Sequence, residues 1–111
     1  MKHALALVLI LLVAVAVPLF SAEKGEAAAG KVVYTKRCAT CHGAAGEGKE
    51  AMAKMLKVEM RHLGSKEVQA KSDADLRKAI VEGTGKMKPV TGLSNKEMTD
   101  LIAYVRTLAK K

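Results

Sequence analysis

The hydrophobic pattern divides the chain into one long apolar block and a set of shorter amphipathic segments. Ala4 to Val17 is an unbroken apolar run behind the basic start Met1-Lys2-His3, and Pro18-Leu19-Phe20-Ser21-Ala22 closes it. The run is shorter than the roughly 20 residues a membrane span needs, so it reads as an export signal over residues 1–22. Cleavage after Ala22 matches the end of the run, although Phe20 is bulky for a position that should be small. Cleavage after Ala29 follows the Ala27-Ala28-Ala29 pattern but lies far from the run, and an uncleaved anchor is the third arrangement. Residues 23–29 are small and polar and read as a linker to a domain over 30–111.

Helical periodicity governs the rest of the chain. A first helix is predicted from about Ala27 to Lys36, with Val32, Val33 and Tyr34 on its apolar side. Gly30, Tyr34 and Cys38 recur every four residues on one face. Gly30 either starts this helix or marks the close approach of another. Gly43-Ala44-Ala45-Gly46-Glu47-Gly48 is a turn, without the lysine and helix start of a phosphate loop. Between Lys49 and Gly64, apolar residues scattered among lysines predict a loop containing a helical turn, and Ser65 to Lys71 a polar connection. Ser72-Asp73-Ala74-Asp75 carries a capping hydroxyl with an acid three residues on, which starts a helix that Gly83 stops. Leu76, Ala79 and Ile80 face inward there, with Val81 at the margin. Ser94 and Glu97 repeat the capping signal for a last helix, whose stripe is Met98, Leu101, Ile102, Val105 and Leu108, flanked by Tyr104. No strand-like alternation occurs. The domain is predicted to be all-α, with three to four short helices.

Composition sharpens this picture at one point. A chain of 111 residues with 3% aromatics, no Trp, one Phe and two Tyr has thin material for a core. A bound macrocycle would fill the deficit, and the chain without it is expected to fold poorly.

The chemistry is concentrated in Cys38-Ala39-Thr40-Cys41-His42. Two thiols separated by two residues can add across the vinyl groups of a haem, and the next imidazole then reaches the iron from the same side. A thioredoxin-like redox couple would sit in a βαβ context, which is lacking here. A zinc site would need a second pair of ligands, yet the chain has no other cysteine, and His3 and His62 are isolated. A structural disulfide leaves His42 without a purpose. Covalent haem c, held by Cys38 and Cys41 with His42 on the iron, is the reading that uses every residue of the motif.

The loop Gly83 to Gly92 holds Met87 between Lys86 and Lys88, with Pro89 next. An apolar side chain stranded between two lysines needs a reason. A thioether is a soft neutral donor that favours reduced iron opposite a histidine, so Met87 is the candidate sixth ligand. Met60 ranks next and His62 third. Met98 belongs to the core stripe, and Met52 and Met55, with Met60 where it is not a ligand, pad the pocket.

These residues together resemble class I cytochromes c, in particular the small bacterial monohaem proteins of the c-553 or c6 kind. The resemblance covers roughly Gly30 to Lys111. It rests on Gly30 and Tyr34 ahead of the Cys-x-x-Cys-His motif, on Gly85-Lys86-Met87, and on Leu101-Ile102-Ala103-Tyr104-Val105. It implies crossed N- and C-terminal helices, with Gly30 and Tyr34 meeting Leu101 and Tyr104. It also implies low-spin haem c between His42 and Met87, carrying one electron at a time. Two features depart from the pattern. Lys88 separates Met87 from Pro89, and no proline follows the haem motif to offer its carbonyl to the second nitrogen of His42. A backbone carbonyl near residues 54–58 is expected to take that role.

Charge bears on partners. The chain has 19 Lys+Arg against 11 Asp+Glu, and removal of residues 1–22 costs only Lys2, leaving +7. Most of these lysines serve solubility, but Lys86 and Lys88 flank the proposed ligand and suit redox protein partners with acidic docking surfaces. Nucleic acid is not expected, membrane contact is peripheral unless the N-terminal segment is retained as an anchor on the outer face of the inner membrane, and a monomer is predicted. No catalytic constellation is present, so the expected function is a periplasmic one-electron carrier of a respiratory or similar chain and not an enzyme. A haem-based small-ligand binder, or a subunit dedicated to one enzyme complex, stays open as the alternative.

Overall fold

A computed structural model describes residues 24–110, together with Ala14. The expected export signal otherwise lies outside the described residues. Among the described residues, six helical segments follow one another: α1 (Ala27–Arg37), α2 (Ala39–His42), α3 (Glu50–Leu56), α4 (Lys66–Gln69), α5 (Asp73–Glu82) and α6 (Asn95–Thr107). The only β-type pairing among the described residues is an isolated antiparallel bridge between Thr84 and Met87.

The helix starts follow from local chemistry. Ser72 accepts from the amide of Asp75 and opens α5. Ser94 and Glu97 exchange reciprocal bonds with each other's backbone and open α6 with a complete capping box. Gly83 closes α5 at φ 76°, a conformation open to glycine and costly for side chains with a Cβ.

The crossing of α1 over α6 organises the domain. Gly30 lies inside α1, three residues past its start, where a Cβ would collide with the backbone carbonyl of Asp100. The close-approach reading of this glycine is therefore the right one. One turn on, Tyr34 is 1% exposed and packs on Tyr104, with ring centroids 5.1 Å apart and planes tilted by 57°. The buried apolar core comprises Tyr34, Val68, Leu76, Met98, Leu101, Ile102 and Val105. Four of these seven belong to the predicted stripe of α6, and Leu108 packs against them half-buried.

Several expectations need correction. The supposed polar connection 65–71 contains α4, capped by Ser65, and delivers Val68 to the core. The helix predicted from about Ala27 does begin there, and just before it the amide of Glu26 donates to Asp100 Oδ1 at 2.8 Å. That carboxylate is 4% exposed, and the Glu26 amide, together with the Lys96 ammonium, holds it below its ordinary pKa. The loop 49–64 carries two full turns of helix (α3) and not one. Val81 is half exposed, so the inward face of α5 ends at Ile80.

Candidate cofactor site

The helices leave a cavity of 830 Å³, within the size range of small-molecule and cofactor sites. Cys38, Cys41, His42 and Met87 all line it. So do Met52, Met55 and Met60, as padding residues would, whereas Met98 is in the core and His62 is not on the wall. His62 instead accepts the Gly64 amide at Nδ1, 2.8 Å away, within its own turn. Met60 does reach the cavity and remains a competitor by position.

The motif is held by its own backbone. Cys38 caps α1 by donating its amide to the Tyr34 carbonyl at 2.8 Å, and the short α2 then carries Cys41 and His42. The glycine turn folds back on it: Gly48 donates to the His42 carbonyl at 2.7 Å and Lys49 to that of Cys41 at 2.9 Å. The buried Tyr34 hydroxyl donates to the carbonyl of Gly43, directly after the motif. Each bond fixes backbone next to a chemically active side chain.

Burial sets the protonation states. It pushes the Cys38 thiol up to about 11, against the smaller opposing pull of Arg37. A redox-active cysteine of the thioredoxin kind needs the opposite shift, so that reading loses support. Burial lowers the His42 pKa, which leaves a neutral imidazole with a free lone pair at neutral pH. Among the described residues, no cluster of three or more His, Cys, Asp or Glu able to hold a metal ion exists.

His42 Nδ1 is buried and has no hydrogen-bond partner among the described residues. The carbonyl expected from residues 54–58 does not reach it. Two in that stretch are already engaged: Lys54 accepts from the Lys57 amide at 3.2 Å, and Leu56 accepts from Lys86 Nζ at 2.7 Å. The reversal at Lys57, which adopts φ 55°, turns the chain end back on its own helix.

The loop bearing Met87 is tied down along its length. Thr84 and Met87 exchange two backbone bonds, of 3.1 and 2.9 Å, and Val90 donates to the Ile80 carbonyl at 2.8 Å. Arg37 Nη2 donates to the Thr91 carbonyl at 2.9 Å, joining the end of α1 to the end of the loop. A Cβ at Gly83 would press on the Met87 carbonyl and on Pro89, so the glycine also lets the loop fold against the end of α5. Neither the Arg37 nor the Lys86 contact was readable in advance, because both accept at backbone carbonyls that no residue type marks.

The residues present fit a haem. Two half-buried thiols, a neutral imidazole and a thioether converge on one mainly apolar cavity, which defines an all-helical domain built for a covalent haem. The family model described as cytochrome c matches residues 27–109. The chain is 36% identical to cytochrome c-554(547) of Halothiobacillus neapolitanus, over 76% of this chain and 98% of that one. It is 32% identical to cytochrome c-555 of Methylococcus capsulatus (strain ATCC 33009 / NCIMB 11132 / Bath), over 91% and 78% respectively. The solved structure of the KustC0563 c-type cytochrome superposes with a TM-score of 0.63 at 32% identity, covering 73% of this chain and 98% of that one. The chain belongs to the cytochrome c family; its cofactor is covalent haem c and its activity is haem-based electron transfer.

Proposed function

We propose that this protein is an exported one-electron carrier that shuttles between redox enzymes of a respiratory or similar chain. In it, Cys38 and Cys41 form the thioethers, and His42 and Met87 hold the iron. The observation that supports this reading is the convergence of those four side chains on one cavity from two separate stretches of sequence. Haem c, when bound, supplies the one-electron couple. The chain supplies the rest. His42 presents a neutral nitrogen, Met87 a soft sulfur, and the mainly apolar wall surrounds both. The bonds along the 84–92 loop hold the sulfur in place whichever oxidation state is present, so little structural change accompanies transfer.

The cavity wall also carries Arg37, Arg61, Lys71, Lys86 and Lys88, against Glu59 as the one acid among the described residues there. A partner with an acidic docking surface fits this excess of positive charge. No helix among the described residues is long and apolar enough to cross a membrane. Export follows from the apolar run at residues 4–17 and would place the carrier in the periplasm.

The test is voltammetry and carbon monoxide binding on the purified holoprotein. A reversible one-electron couple and slow carbon monoxide uptake by the ferrous form are expected. Met87→Ala should then take up carbon monoxide rapidly, and Met60→Ala should behave like the parent. Rapid uptake by the parent would replace the carrier with a small-ligand binder.

A further inference from the structure

We propose that Lys86 is a positioning residue for the Met87 ligand, acting as a latch from the ligand loop to the end of α3. This rests on the assignment of Met87 to the iron. Lys86 Nζ donates to the Leu56 carbonyl at 2.7 Å, a contact between residues thirty apart in sequence.

Leu56 is the last residue of α3, where carbonyls lack partners inside the helix. The amides that fold back at this end serve other carbonyls: Lys57 bonds to Ala53 and Lys54, and Val58 to Ala53. The Leu56 carbonyl takes the ammonium instead, in a charge-assisted bond at an exposed position. Lys86 and Met87 are adjacent in sequence, so the latch restrains the backbone next to the sulfur-bearing residue. None of the other anchors reaches α3: the Thr84–Met87 bridge is internal to the loop, Val90 is tied to α5 and Thr91 to α1. Lys86 therefore supplies the tie to α3, the helix whose Met52, Met55 and Leu56 line the same cavity.

A latch of this kind raises the free energy of local opening without changing what the loop contains. Its loss should let Met87 leave the iron more often while the bond itself stays the same. The experiment is imidazole binding to the ferric holoprotein by stopped flow, with the long-wavelength absorbance of the sulfur–iron bond and the guanidinium unfolding midpoint measured in parallel. Lys86→Leu keeps an apolar stem, removes the donor and adds no second thioether, whereas Lys86→Arg restores a donor.

Lys86→Leu should bind imidazole roughly tenfold faster, with the absorbance retained and the unfolding midpoint near that of the parent, and Lys86→Arg should return toward the parent rate. Three results would overturn the proposal: a Lys86→Leu rate within about twofold of the parent, an Arg variant as fast as the Leu variant, or an acceleration matched by an equal loss of global stability. Failure of the underlying assignment looks different. The parent would then lack the long-wavelength absorbance, or Met87→Ala would keep it, before any Lys86 variant is made.

Discussion

Tyr34 shows how much one side chain carries. Its ring fills the α1–α6 crossing, and its hydroxyl donates to the Gly43 carbonyl just after the haem motif. Burial, with smaller contributions from Cys38, Tyr104 and Glu47, pushes its pKa up to about 12. A raised acid favours its protonated form in the folded state. The stability tied to it is complete below the ordinary tyrosine value of about 10 and is lost as pH rises toward about 12. Tyr34→Phe should therefore lower the unfolding midpoint at pH 7 and flatten its decline between pH 10 and 12, measured by denaturation across that range. At this scale the motif Cys38-Ala39-Thr40-Cys41-His42 is the most legible part of the chain, because covalent attachment dictates both residue type and spacing. The surroundings of His42 Nδ1 and the latch at Lys86 were not legible. Their partners, present or expected, are main-chain carbonyls, and every residue has one.

Elements were readable where a cap or a period announced them. Ser72 and Gly83 set the ends of α5, Ser94 and Glu97 set the start of α6, and the stripe of α6 supplies four of the seven core residues. The turn α4 escaped because four residues are too few to show a helical period, so Val68 looked like part of a connection. The α1–α6 crossing was legible through Gly30 together with the family resemblance, since a glycine alone also suits a helix start. Gly30→Ala should drive a methyl into the Asp100 carbonyl and cost about 3 kcal/mol, lowering the Tm by roughly 10 °C or more. Thermal denaturation of the holoprotein checks this. Arg106 offers a second test of how the elements are joined. From α6 it donates to the Gln69 carbonyl at 2.9 Å, to the Lys71 carbonyl, and to Asp73 at 2.7 Å, tying α4 to the start of α5. Arg106→Met should cost about 1–2 kcal/mol by denaturant unfolding, because those contacts are partly exposed.

For the whole molecule, two quantities matter: a thin core and a positive charge. Among the described residues the buried apolar set contains a single aromatic, Tyr34, and the chain surrounds a cavity of 830 Å³ that its own side chains do not fill. The double variant Cys38→Ala, Cys41→Ala, produced without covalent haem, should show weak helical circular dichroism and no cooperative melting. Charge acts at longer range. Electron exchange with an acidic redox partner should slow as ionic strength rises, whereas a rate indifferent to salt would remove the steering role of the basic rim. Neither the partner nor the direction of electron flow was legible, since a field of lysines selects a sign of charge and not an individual protein. The central claim is that Met87 and His42 hold the iron of a thioether-linked haem, and the absorption spectrum of the purified protein in both oxidation states tests it most directly. A six-coordinate low-spin haem is predicted, with a ferric sulfur–iron band that disappears in Met87→Ala. A protein without colour and with two free thiols, or a spectrum that Met87→Ala leaves unchanged, would contradict it.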